Sequence, residues 1–261
     1  MNRINVLLLT VIISVMLFTS CSSKNKEINM LSDIKNHHIG VPNGSIADEL
    51  VLTKLPNAKF IYFDNVLDAA LALKSGRINV VVYDEPLLRN VVAKNPGLKV
   101  LDELITIDNY CFAVNIGNDT LKQNIDDTID FLNTAGLLDD MRRRWLPDIG
   151  LPNRMPEFSL NHEKGVLKFG TAPDAEPFSF LDALERPVGL DIELAYYVAM
   201  RMGMGLEIVT MPFGELLKSV EEGKVDMVGA CITFSHERAE KVLFSIPYYI
   251  GGIAALIREK N

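Results

Sequence analysis

The sequence is poor in the side chains that build metal centres, disulfide frameworks and nucleic-acid surfaces. Its 261 residues contain three cysteines, at positions 21, 111 and 231, which are too few and too scattered for a disulfide framework or a metal knuckle. Only four histidines are present, two of them adjacent (His37, His38), so metal catalysis is not expected and no cofactor is implied. Basic charge is short as well: 26 Lys and Arg against 34 Asp and Glu leave a net charge of −8, and the densest basic run is Arg142, Arg143 and Arg144. Three residues do not make a stripe, and phosphate would meet overall repulsion, so a nucleic-acid partner is excluded. With 48% apolar residues, 12 Pro and 17 Gly in no low-complexity tract, the balance is that of a globular chain with room for two modest lobes.

Long apolar runs are also scarce, and the one that exists is at the start. After Arg3, residues Val6 to Phe18 are almost unbroken in apolar character and end in Thr19 and Ser20 directly before Cys21. Such a run makes about 20 Å of helix against a bilayer core of about 30 Å, which fits a cleaved export signal better than a permanent span. The ending Phe18-Thr19-Ser20-Cys21 resembles a bacterial lipoprotein box, with Phe18 in place of the usual Leu; the resemblance implies a signal over 1–20 and lipidation at Cys21. An ordinary signal peptide with an incidental cysteine is the alternative. Residues 21–30 begin with the polar stretch Ser22 to Glu27 and read as a tether. Without residues 1–20 the charge is 25 − 34 = −9.

Downstream, short β-branched runs alternate with helical periodicity. Ile39 to Val41, Phe60 to Tyr62 and Ile78 to Tyr83 read as buried strands, with Val66, Leu67, Ala69, Ala70 and Leu73 at helical spacing before Gly76. The grammar returns with a strand at Val166–Thr171, a helix stripe from Leu190 to Met202, a second from Leu216 to Val220, and a strand at Val225–Val228. Alternation of this kind predicts α/β architecture with parallel-rich sheets. An internal echo, Lys74 to Val80 against Glu222 to Val228, joins the halves, although common loop chemistry can also produce it. Residues 147–164, with Pro147, Pro152 and Pro156, read as a linker.

More specific stretches follow: Gly165 to Thr171, Pro177 to Phe180, Val188 to Ala195, Phe213, Gly223 to Asp226, and Thr233 to Arg238 followed by Phe244 to Tyr248. Their order and spacing resemble the first lobe of family 3 extracellular solute-binding proteins. Ile39 to Ser45, Gly76 to Asp84, Asn109 to Val114 and the end running through Gly136 to Trp145 are similar to that family's second lobe and its C-terminal return. The resemblance implies a two-lobed periplasmic-binding-protein-like (type II) fold with the lobes in permuted order, either a circular permutant or one slice of a tandem array. It divides the chain into a second lobe over 31–106, a crossover and return over 107–146, the linker, and the Arg-bearing first lobe over 165–261. A permutant cut near Ile28 and Asn261 is expected to lose one of two crossover strands, leaving the crossing near Ile105 to Cys111 as the only covalent one.

Capture of an amino acid needs a cation for its carboxylate, an anion for its ammonium and apolar walls. By resemblance Arg238 supplies a bidentate guanidinium fork, with Thr233 and the backbone of Gly229, Ala230 and Cys231 as further carboxylate donors. Asp84, at the carboxyl end of a strand, would hold the ammonium; its plain alternative is an N-cap before Glu85 and Pro86. Asn43, Gly44 and Ser45 offer a turn from the other lobe, and Phe178 and Phe213 are candidate walls. Ala172 and Ala175 stand where the family often carries an acid and an aromatic, with Asp174 and Glu176 beside them, so the ligand side chain is left open. Cys231 reads as a small packed residue, with no recognisable Cys-His motif to make it a nucleophile. The resemblance thus implies a lipid-anchored binding protein serving an ABC permease, with no covalent chemistry. A sensory module and a dehydratase of cyclohexadienyl acids on the same fold are the alternatives.

Overall fold

The computed structural model describes residues 28–35, 37–146 and 154–259. The export signal, Cys21, Pro147 and Pro152 lie outside them. In chain order the elements begin with α1 (Leu31–Ile34), β1 (His38–Pro42), α2 (Ala47–Lys54), β2 (Lys59–Phe63), α3 (Val66–Lys74), β3 (Val80–Asp84), α4 (Glu85–Lys94) and β4 (Leu98–Val100). The chain then runs through β5 (Asp108–Tyr110), β6 (Ala113–Asn115), α5 (Asp119–Thr134) and α6 (Leu137–Trp145). After the linker come β7 (Val166–Thr171), β8 (Asp174–Ala175), β9 (Ser179–Leu181), β10 (Pro187–Val188), α7 (Leu190–Met202) and β11 (Gly205–Thr210). The last elements are α8 (Leu216–Glu221), β12 (Met227–Val228), α9 (His236–Ala239), β13 (Val242–Phe244), β14 (Tyr249–Gly251) and β15 (Ile253–Arg258).

Two five-stranded sheets result, ordered β2-β1-β3-β15-β4 and β11-β7-β12-β6-β13. In each, the neighbours of the first strand are parallel and one antiparallel strand is inserted: β15 between β3 and β4, β6 between β12 and β13. The residues explain the layers. Val80, Val81 and Val82 are buried in β3, as a strand covered on both faces requires, and each buried valine stabilises the lobe by roughly 1.5–3 kcal/mol. Helix α3 starts where the Asn65 side chain accepts the Asp68 amide, and Gly76 turns the chain at φ 80° into the next strand.

Three expectations need correction. The stretch Phe60 to Tyr62 is not a buried strand: β2 is the sheet edge, with Ile61 and Tyr62 exposed, because only β1 flanks it. The strand expected over Val225–Val228 shortens to Met227–Val228, since the Asp226 carboxylate itself accepts the Lys168 amide at 2.7 Å. The third concerns the hinge. The chain crosses between the lobes twice, in β5 and again in β14, and the two crossings pair antiparallel with Tyr110 opposite Tyr249. The second crossing exists because the apolar run of β15 fills the gap between β3 and β4, which moves residues 253–258 out of the lobe assigned to 165–261.

The described part of the linker also packs: the Phe158 ring stacks on Tyr196 of α7 at 4.8 Å. Beside it the fully buried Glu193 of α7 accepts two bonds from the Arg144 guanidinium, at 2.6 and 2.9 Å, and one from Trp145 Nε1 at 2.7 Å. This cluster fastens α6 to the second sheet's lobe. Among the described residues no helix is long and apolar enough to cross a membrane, and no group of His, Cys, Asp or Glu is placed to hold a metal ion.

Candidate functional site

The site is built where the two lobes face each other across the hinge. Ser235 opens α9 by accepting the Arg238 amide at 3.2 Å, which carries the arginine to the lobe boundary. Its guanidinium donates to the Thr233 carbonyl at 3.0 Å in its own lobe and to the Gly44 carbonyl at 3.3 Å in the other. Burial lowers its pKa, while Asp84 and Glu49 oppose that shift. The turn Asn43-Gly44-Ser45 follows β1, with Gly44 at φ 77° and the Ser45 hydroxyl accepting the Ala47 amide at the start of α2. An added Cβ on Gly44 would lie 2.8 Å from the Cα of Gly214, so the two lobes touch backbone to backbone. A second tie is the ion pair between Lys94 and Glu176 at 2.5 Å.

Asp84 stands at the N-cap position of α4, yet its side chain makes no capping bond. It instead accepts the Tyr110 hydroxyl at 2.6 Å. Desolvation by burial raises its pKa to about 7; the Tyr110 bond lowers it, Asp108 raises it and Arg238 lowers it. A carboxyl group that titrates near neutrality beside a guanidinium is able to meet a ligand ammonium or to exchange a proton.

The loop from Gly229 to Thr233 departs from the expected donor set. The Gly229 amide bonds the Gly170 carbonyl at 3.1 Å, and the Cys231 amide bonds Asp191 Oδ2 at 2.8 Å. Both donors are therefore occupied within the lobe, and of the expected set this leaves the Ala230 amide and Thr233, both of them buried. Cys231 itself is buried, at φ 50°, and burial pushes its thiol well up, away from nucleophile chemistry.

Phe178 is fully buried in the hinge, edge-on to Tyr110 at 5.6 Å and to Tyr249 at 5.4 Å, so in this arrangement its ring is core and not wall. Phe213 does line open space. With Gly44, Ile232 and Arg238 it bounds a cavity of about 40 Å³, room for a few waters at about 10–15 Å³ each. With Asn43, Gly44, Asp64, Asp174 and Met211 it bounds a larger one of about 630 Å³, lined from both lobes. The small cavity that Arg238 lines has no room for an amino acid.

Tyr110, Tyr248 and Asp191 were not singled out from sequence, although all three fall inside the stretches that carry the resemblance. Tyr248 donates its hydroxyl to Asp191 Oδ2 at 2.9 Å. What marks them is tertiary: tyrosines at the two hinge crossings, one in β5 and one just before β14, each bonded to a buried aspartate.

Residues 167–261, which hold Arg238, Thr233 and Asp191, match the profile of bacterial extracellular solute-binding proteins, family 3. Among curated proteins, the L-cystine-binding protein TcyJ of Escherichia coli (strain K12) is 30% identical over 127 residues, 49% of this chain and 46% of TcyJ. Cyclohexadienyl dehydratase of Pseudomonas aeruginosa is 30% identical over 90 residues, 34% of each chain. The arginine-bound form of domain 1 from TmArgBP is 36% identical over 36% of this chain and 81% of that one, with a TM-score of 0.33. The chain thus spans about half or less of the length of these curated relatives.

Proposed function

We propose that this protein is an extracytoplasmic solute-binding protein that closes its two lobes on an amino acid and presents it to an ABC permease. The observation that carries the reading is the Arg238 guanidinium, which already spans the lobe boundary to the Gly44 carbonyl with the buried Asp84 close enough to shift its pKa. A ligand carboxylate would take the fork and its ammonium would take Asp84, so that contacts from both lobes stabilise the shut state. Apart from Phe213, the larger cavity's side chains include two carboxylates, Asp64 and Asp174, which makes the cationic amino acids the first to test. We place the protein outside the cytoplasm, tethered through lipidated Cys21, and read its lobe order as a circular permutation. The family match at the C-terminal end and the double crossing of the hinge support that order.

The test is a thermal-shift and calorimetric screen against amino acids. Ligand at 100 times its Kd adds about 2.7 kcal/mol, enough to move the melt visibly. A flat response across amino acids in a protein that melts cooperatively would sink the reading. One observation favours a second reading: Asp84, with its pKa near 7, is a competent proton donor, and a dehydratase is among the relatives. Product formation from cyclohexadienyl acids, absent on Asp84→Asn substitution, would decide for it.

A further inference from the structure

Two carboxyl groups are buried in this protein without an ion-pair partner among the described residues, and each meets a tyrosine from a different hinge crossing. Asp84 takes the Tyr110 hydroxyl in the N-terminal lobe and Asp191 takes the Tyr248 hydroxyl in the other, while the Tyr248 amide bonds the Tyr110 carbonyl at 3.1 Å. The Asp84 half belongs to the cleft already described. The Asp191 half has no direct place in it: the residue is fully buried at the start of α7, and its Oδ1 has no hydrogen-bond partner.

We propose that Asp191 and Tyr248 are positioning residues of the cleft: the bonds from the Tyr248 hydroxyl to Asp191 and from the Cys231 amide to Asp191 let the hinge strand hold the loop 229–233 in the shape that receives a carboxylate. The inference rests on the binding reading above. Cys231 occupies a left-handed backbone conformation, which a side chain with a Cβ adopts only when its surroundings hold it there. The Asp191 carboxyl is what its amide meets. Tyr248 is in turn fixed at every polar atom, its carbonyl accepting from Arg142 at 2.6 Å. On its other side the same loop is paired with the first crossing, the Cys111 amide bonding the Ile232 carbonyl and the Phe234 amide the Asn109 carbonyl. Both hinge crossings therefore grip the loop whose Thr233 carbonyl orients Arg238. A buried carboxyl without a cation works against stability, so a residue chosen for packing alone would not be an aspartate here.

The experiment uses the full chain with Tyr248→Phe, Asp191→Ala and Asp191→Asn, the last keeping an oxygen that can accept the Cys231 amide. Hydrogen exchange over residues 229–234 is read without ligand, and calorimetry is run with L-arginine, L-histidine, L-glutamine and L-cystine. The expected result is exchange at least tenfold faster and Kd at least tenfold weaker in Tyr248→Phe and Asp191→Ala, with both restored in Asp191→Asn. Tyr248→Phe removes one hydroxyl and keeps the inference testable if Asp191→Ala does not fold. Unchanged exchange, or faster exchange with unchanged affinity, overturns the inference while leaving the binding function intact. If no amino acid of the full screen binds the wild type and exchange still depends on Asp191, the binding reading fails and the hold on the loop stands.

Discussion

The Arg238 guanidinium lies 3.3 Å from the carbonyl oxygen of Gly44, a residue 194 positions away on the opposite lobe. A group suited to a carboxylate is thus held by two backbone carbonyls, weaker partners that a charged ligand displaces. Arg238→Glu is expected to abolish amino-acid binding, and Arg238→Lys to weaken it by about tenfold or more because the bidentate fork is lost. The melting temperature should move by no more than a few degrees in either variant, as calorimetry and thermal unfolding would record.

Gly44 meets Gly214 at the lobe boundary. Gly44→Ala introduces a Cβ 2.8 Å from the Gly214 Cα and strains a backbone at φ 77°, whereas a Cβ on Gly214 would stand 3.7 Å from the Gly44 Cα, an ordinary contact. The first substitution should cost about 1 kcal/mol of stability and hold the lobes apart. Small-angle scattering should show a larger radius of gyration for Gly44→Ala and none of that change for Gly214→Ala.

Asp84 and Asp191 both have pKa values raised to about 7, in each case chiefly by desolvation. An acid whose pKa is higher folded than unfolded binds more protons in the native state. Its contribution is fully present below about pH 4, the unfolded value, and is lost as pH rises through 7. Urea unfolding should therefore show stability falling between about pH 4 and 7. Asp191→Asn should flatten that slope; an unchanged slope would contradict the protonated, buried state of this carboxyl.

Glu193 is fully buried under Arg144 and Trp145. Glu193→Ala leaves the guanidinium and the indole N–H without their acceptor, and removal of one partner from a buried pair costs about 3–5 kcal/mol. Denaturant unfolding should show a loss of this size.

The sequence by itself determined the alternation of strands and helices, because β-branched runs and helical spacing are local: β1, β3, α3, β7 and α7 fall where the residues point. It also carried the resemblance that singled out Arg238, Thr233 and Asp84 as candidates. The edge position of β2 was not legible, since Phe60 to Tyr62 reads the same whether one neighbour or two flank it. Only the tertiary structure decided that β15 returns to the first sheet and so makes a second crossing, a pairing between residues about 170 positions apart that no local pattern encodes. It likewise decided that the Cys231 amide belongs to Asp191 and that Asp84 answers Tyr110 and not its own helix. Hydrogen-bond partners of buried groups are chosen by what the whole fold brings within 3 Å, and desolvation, which sets the state of both carboxyls, exists only once the fold has buried them.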